Sequence, residues 1–480
     1  MPPKLEIPAE EIREIGRAAL DLVTSYYDSL ASGRPVLRPT TSAALRARLD
    51  QPLPEEGAPF EEMLGTLRDV AVEYSRHSAH PRFFGYVSSP GTAVNAVGSM
   101  VGSALNINVT GWRSAPVGTE IERLAIRWLK QMIGFPDEAG GLLLSGGSMA
   151  NFAGLAAARS AKAPADVVRE GMAGAGGRMR LYVSEEGHFS VRKAAGMLGI
   201  GTANVCRVRT NARQQIDLDD LARQVREDRA AGHLPFCVVA CAGTVASGAV
   251  DPIGALAAFA RAENLWLHVD GAYGGFAALA PGARHLFEGI GEADSVALDP
   301  HKWLYLPMGC GCVLYRDPAA ARAAFSENAE YTRVMGLEQD EAFVFWDYGP
   351  ELSRPFRSLD LWLLVKSVGA RALGEAIQEN IACAKYFEEL VRDADDFEML
   401  APVELSIFCF RYRPRGFTGD LDALNERVML ALQRGGSSYV SNARIGGKFA
   451  LRGCVLNYRT TRRDMEILLD DVRRSAASTG

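Results

Sequence analysis

Between Tyr86 and Leu361 short apolar runs alternate with helical patterns, and this alternation restricts the fold more than any other feature of the chain. GLLLS precedes MANFAGLAAARSA, RLYVS precedes VRKAAGMLG, and PFCVVACAG precedes IGALAAFARAEN, after which LWLHVD, SVALD and CGCVLYRD follow. The runs are apolar throughout rather than every second residue, the mark of strands covered on both faces. A repeated strand, helix, strand order implies a mostly parallel central sheet with helices on both faces, an α/β fold. Ligands in such sheets bind beyond the carboxyl ends of the strands, and chemistry is to be sought there.

The flanks differ. Pro8 to Leu30 has apolar residues at three- and four-residue steps (Ile12, Ile15, Ala19, Val23, Leu30) and predicts an amphipathic helix, followed by a Pro-rich connector. Residues 1–85 read as an arm whose apolar face wants a partner surface. Residues 86–361 form the large domain. Residues 362–480 form a small α+β domain, with a long helix (ALGEAIQENIACAKYFEELV), strands LSIFCFRYR, SYVSN and KFALRGCVLN, and two further helices.

Composition excludes several classes. A net charge of -6 without a basic stripe argues against a nucleic-acid partner. The N-terminus lacks the apolar core of a secretory signal, and no run reaches the roughly 18 apolar residues that span a bilayer, so a cytoplasmic protein with no membrane contact is expected. The eight cysteines lie mostly in apolar segments and read as reduced core residues. Cys310 and Cys312, with no second pair nearby, are poor zinc ligands, and no metal is expected.

Four features fall where strands should end. In LLLSGGSMANFAG a strand runs through Ser145-Gly146-Gly147-Ser148 into a helix, and backbone N–H groups at a helix start make an anion site; alone, the motif reads first as a plain turn. LYVSEEGHFSV places His188 just past a strand, where an ordinary buried or surface histidine would also fit. LWLHVDGAYGGF ends a buried strand in Asp270, whose desolvation demands a cationic neighbour, either an arginine or a ligand. SVALDPHKWL presents Lys302 after an apolar strand; a buried amine is a Schiff-base nucleophile, whereas the ordinary alternative is a lysine reaching out to solvent. One ligand uses all four. Pyridoxal 5'-phosphate (PLP) offers a phosphate, a pyridinium nitrogen, a flat ring and an aldehyde.

HVDGAYGG, ADSVALDPHKWL, HPRFFGY, SAPVGTEIE and PFRSLDLW together resemble the group II PLP-dependent decarboxylases, the aromatic-L-amino-acid decarboxylase family, over nearly the whole chain from Ile7. The resemblance implies the aspartate-aminotransferase-like PLP-dependent transferase fold type I and a homodimer with its active sites at the interface. It implies that Lys302 binds the cofactor aldehyde, Asp270 pairs with the pyridine nitrogen and His188 stacks on the ring. Ala272 lies against the other ring face, Ser148, Met149, Ala150 and His301 surround the phosphate, and Thr244 is close by. The expected reaction is decarboxylation of a small-molecule substrate, an L-amino acid with aromatic ones the first choice, to the amine and CO2.

Two departures from the family pattern stand out. The family's mobile loop carries a tyrosine that protonates the carbanion, and counting back from FRSL without gaps puts Phe345 there, with Tyr331 and Tyr348 nearby. A phenylalanine at that position implies the alternative of oxygen-consuming decarboxylation-deamination to an aldehyde. In the substrate pocket, Tyr86, Val87, Thr110 and Trp112 fall in the region that holds the side chain, and Val87 and Thr110 replace aromatic residues.

Overall fold

The computed structural model describes residues 5–31, 33–326 and 340–478. Its centre is a seven-stranded sheet formed by β1 (Gly140–Leu144), β2 (Met179–Ser184), β3 (Val205–Val208), β4 (Leu234–Cys241), β5 (Trp266–Gly271), β6 (Ser295–Leu298) and β7 (Gly311–Tyr315), in the order β1-β7-β6-β5-β4-β2-β3. All pairings are parallel except those of β7, which runs antiparallel to both β1 and β6. The reversal has a local cause. The β6–β7 connection contains one helical turn, Pro300–Trp303, instead of a crossover helix, so the chain must return antiparallel.

Every residue of β5, β6 and β7 is buried, as a sheet covered on both faces requires. Alternate residues feed two separate cores. Leu267, Val269, Val296 and Leu298 pack into one, and Trp266, Ala297, Val239 and Cys241 into the other. Burial of each such aliphatic side chain contributes about 1.5–3 kcal/mol. The second core is closed by the helix Gly147–Lys162, which lays Ala150, Ala153 and Ala157 against the sheet.

A four-stranded antiparallel sheet follows, built from β8 (Phe397–Met399), β9 (Ile407–Tyr412), β10 (Ser441–Ile445) and β11 (Lys448–Cys454) in the order β10-β11-β9-β8. Its core of Phe387, Phe408, Phe410, Val428 and Leu468 also takes in Phe84, so the HPRFFG segment packs on the C-terminal sheet. The helix Arg357–Asp393 joins the two sheets, with Leu361 and Leu364 in the first core and Phe387 in the third, and it breaks at Gly369, where φ is 77°. The N-terminal helix spans Ala9–Ala31 and leaves Ile12, Leu20 and Val23 exposed. Among the described residues, no helix is long and apolar enough to cross a membrane, and no cluster of His, Cys, Asp or Glu is arranged to hold a metal.

Candidate active site

Lys302 sits on the single helical turn after β6. Its neighbours are clamped: Trp303 is fully buried, stacks on Tyr273 with 5.1 Å between centroids and donates to Asn380 Oδ1 at 3.1 Å. His301 Nδ1 donates to the Cys310 carbonyl at 2.8 Å. With both flanking side chains fixed, the Lys302 amine is directed into a cavity of about 500 Å³ at the carboxyl end of the sheet. Its Nζ lies 2.9 Å from Asp299 Oδ2, and the other oxygen, Oδ1, is buried without a hydrogen-bond partner. Asp299 directly follows β6 just as Asp270 lies at the end of β5, yet only Asp270 is singled out by the sequence reading.

Asp270 reaches the same cavity. Its carboxylate accepts from Asn151 Nδ2 at 2.9 Å and from the Ala272 amide at 3.2 Å. His188 lines the cavity as the N-cap of the helix Phe189–Met197, with its Nδ1 accepting the Ser190 N–H. Burial pushes its pKa down, while Asp270 pulls the other way, so the ring is held neutral near pH 7. Ser148, Met149, Thr244, Ala272 and His301 also line the cavity; Ala150 faces the core beneath it. Thr244 Oγ1 is tied to Ser247 Oγ at 2.9 Å.

The floor of the cavity is stripped to backbone. A Cβ on Gly147 would stand 2.6 Å from Asp299 Oδ2 and 2.7 Å from Ala272 Cβ, and one on Gly146 would stand 3.2 Å from His301 Cε1. The helix that begins there has no side-chain cap, leaving its first N–H groups and the positive end of its dipole for an anion. An amine, an inward carboxylate, a neutral imidazole with the small Ala272, and an uncapped helix start match the aldehyde, ring nitrogen, ring faces and phosphate of PLP. The residues present fit that group.

The pyridoxal-dependent decarboxylase conserved domain matches residues 43–413. The chain belongs to this family. The decarboxylase is 36% identical over 467 residues to an aromatic-L-amino-acid decarboxylase of Bacillus atrophaeus, covering 97% of this chain and 95% of the relative. The crystal structure of Oryza sativa TDC with PLP and tryptamine superposes with a TM-score of 0.90 at 31% identity, covering 98% of this chain and 99% of that one. The 4-hydroxyphenylacetaldehyde synthase of Rhodiola rosea gives a TM-score of 0.87 at 29% identity, with coverage of 98% and 99%. PLP is therefore the cofactor, the fold is type I and the enzyme is a carboxy-lyase.

Other expected residues lie elsewhere in the decarboxylase. Phe345 is 1% exposed in a short 3-10 turn, its ring under the Arg354 guanidinium at 4.2 Å and its amide bonded to the Thr110 carbonyl at 2.9 Å. The Phe345 ring is thus enclosed and does not line the Lys302 cavity of its own chain. Tyr348 stacks on Phe343 at 5.5 Å and lines a separate cavity with Arg123 and Lys130, so it too is away from Lys302. Tyr331 lies outside the described residues. Thr110 and Trp112 are held against the 343–345 segment and do not line the Lys302 cavity of their own chain. Val87 packs on the first core. The Tyr86 ring is half-exposed under Arg76, and its carbonyl accepts from Arg452 at 2.9 Å; the same guanidinium donates to the carbonyl of Val245, a cavity residue, at 2.8 Å.

Proposed function

We propose that this enzyme decarboxylates an aromatic L-amino acid to the corresponding amine, with Lys302, Asp270 and His188 as its catalytic residues. The observation that carries the reading is the convergence of the Lys302 amine, the Asp270 carboxylate and the His188 ring on one cavity above an uncapped helix start. Bound PLP supplies an aldehyde that condenses with amines and a ring that accepts the electron pair released when a Cα–carboxylate bond breaks. Lys302 Nζ would hold the cofactor aldehyde, and the Asp299 carboxylate, 2.9 Å away, is placed to stabilise this amine in its protonated form. Asp270, whose carboxylate lines the cavity, would keep a proton on the ring nitrogen of the bound cofactor. Lys302 lines the cavity as a group that can return a proton to Cα, and the neutral His188 ring lines it as a hydrogen-bonding group.

An aromatic substrate is supported by the names of the relatives. We infer a homodimer, because Val94, Val97, Met100, Val101 and Leu105 leave one helix, Ala93–Leu105, with an exposed apolar face, and the N-terminal helix has another. A second copy on this face is also the means by which Thr110 and Trp112 could reach a substrate. A cytoplasmic setting agrees with eight free, buried cysteines.

Incubation of the holoenzyme with L-tryptophan, L-tyrosine, L-phenylalanine and L-DOPA tests the proposal. CO2 and amine in equal amounts without peroxide are expected. Peroxide in proportion to CO2 would establish the aldehyde-forming alternative; no CO2 from any of the four would overturn the substrate class.

A further inference from the structure

The face of β5 that carries Asp270 also carries Trp266 and His268, four and two residues back, and the pairing His268↔Ser295 sets a serine of β6 beside them. Over this face lies the helix Gly147–Lys162, whose Gly147, Asn151 and Gly154 recur at four and three residues. Gly154 has no side chain because His268 is beneath it: a Cβ there would stand 2.5 Å from His268 Cε1. Register and helical period thus converge on Asn151, which is 1% exposed and a single turn from the cavity floor.

The hydrogen bonds through Asn151 can run in one direction only. Carboxylates accept, so the contact at 2.9 Å makes Asn151 Nδ2 the donor to Asp270 Oδ2 and turns Asn151 Oδ1 toward His268 Nε2, also at 2.9 Å. His268 therefore carries its proton on Nε2. Burial holds this imidazole neutral, with a pKa pushed down to about 4, which leaves Nδ1 to accept from Ser295 Oγ at 2.8 Å. Ser295 Oγ in turn accepts from the Trp266 indole, which can only donate, at 2.8 Å. The second proton of Asn151 Nδ2 goes to Ser190 Oγ at 3.0 Å, and Ser190 then has its own proton to give to His188 Nδ1 at 2.7 Å. The Ser190 backbone N–H points at the same nitrogen, and a backbone N–H only donates. Both bonds make His188 Nδ1 the acceptor.

We propose that Asn151 is a positioning residue that joins Asp270 and His188 through one amide and fixes His188 as the Nε2–H tautomer, so that this ring offers a hydrogen-bond donor to the cavity. The proposal rests on the reading of Asp270 and His188 as cofactor-facing groups. His268, Ser295 and Trp266 have no contact with the cavity in this scheme; they hold the Asn151 amide the right way round. Reversal of that amide would set an N–H against His268 Nε2–H and an oxygen against the Asp270 carboxylate, two repulsive contacts in place of two bonds.

The test uses ¹⁵N-histidine-labelled holoenzyme and long-range ¹H–¹⁵N correlation, with His188 assigned by the loss of its signals in His188→Gln. Wild type is expected to show His188 protonated on Nε2 and bare on Nδ1. Asn151→Leu removes both branches and is expected to change the His188 nitrogen shifts, shift the absorbance band of the bound cofactor and lower kcat by about 10- to 100-fold, the effect usual for a partner that orients a histidine. Ser190→Ala removes only the Oγ bond to His188 and leaves the Asp270 branch, so it should change the nitrogen shifts and lower kcat while leaving the cofactor absorbance band in place. Wild-type His188 protonated on Nδ1, or nitrogen shifts unmoved in both variants, would overturn the proposal. Ser190→Ala and the wild-type spectrum decide the matter even where Asn151→Leu fails to fold. The nitrogen readout does not use turnover, so its failure leaves the decarboxylase reading intact, and absence of CO2 release leaves the tautomer assignment intact.

Discussion

Removal of the Lys302 amine should destabilise the cofactor-free protein, and neutralising Asp299 should restore most of the loss. Lys302 Nζ is 2.9 Å from Asp299 Oδ2, the Asp299 side chain is 2% exposed and that of Lys302 is 21% exposed. At that distance and an effective permittivity of about 20, the attraction is roughly 6 kcal/mol before desolvation. Desolvation of both ions, and water reaching the partly exposed amine, reduce this to a net coupling of about 2–3 kcal/mol. Lys302→Met leaves a buried carboxylate with no cation and should cost about 3 kcal/mol. Adding Asp299→Asn removes the stranded charge and should return about 2 kcal/mol of it. In a chain of this size each kcal/mol moves the unfolding midpoint by about 1 °C. Calorimetry of wild type, Lys302→Met, Asp299→Asn and the double variant as apo-proteins at pH 7 should then place Lys302→Met about 3 °C below wild type and the double variant about 1 °C below. A double variant no more stable than Lys302→Met would refute Asp299 as the charge partner of this lysine.

Three further outcomes are expected. Gly147→Ala forces a Cβ to within 2.6 Å of Asp299 and 2.7 Å of Ala272, and should cost about 1–3 kcal/mol of apo stability and weaken PLP binding by titration; unchanged values for both would contradict the close approach. Arg354→Met strands the Glu122 carboxylate, which like Arg354 is 1% exposed, and removes donors to the Val109 and Leu143 carbonyls, so a loss of about 3–5 kcal/mol is expected in thermal unfolding, partly regained with Glu122→Gln. His268 has its pKa lowered by burial to about 4, so as pH falls from about 6.5 the unfolded chain takes up the proton first. Stability should fall across that window by at most roughly 3 kcal/mol, with no further loss from this group below about pH 4, and His268→Gln should flatten the slope; identical slopes would count against the burial of a neutral ring.

Much of the site was legible because each of its anchors ends a strand. Asp270, His188 and Lys302 each follow an apolar run, and chain order alone places such residues at one edge of a parallel sheet. Asp299 obeys the same rule and could have been found by it. The alternation Trp266, His268, Asp270 was also visible, since polar or aromatic side chains at every second position of a wholly buried strand must find partners on one face. Asn151 was not legible: its role depends on which residues of β5 and β6 lie under one helix, and the register between distant segments sets that. The same limit applies to Phe345, because a gapless count cannot reveal that the Gly111↔Val344 bridge pins its segment to the core. The short strands β3 and β8 escaped for lack of an apolar run, and β7's reversal followed from a connection whose length does not announce its geometry.

The most direct test of the account is to fix the cofactor where it is held. Holoenzyme treated with borohydride, digested and analysed by mass spectrometry should carry the reduced cofactor on the peptide containing Lys302, and Lys302→Ala should carry none and lose the absorbance band of the bound cofactor. A cofactor mass on any other lysine, or an intact band in Lys302→Ala, would contradict it.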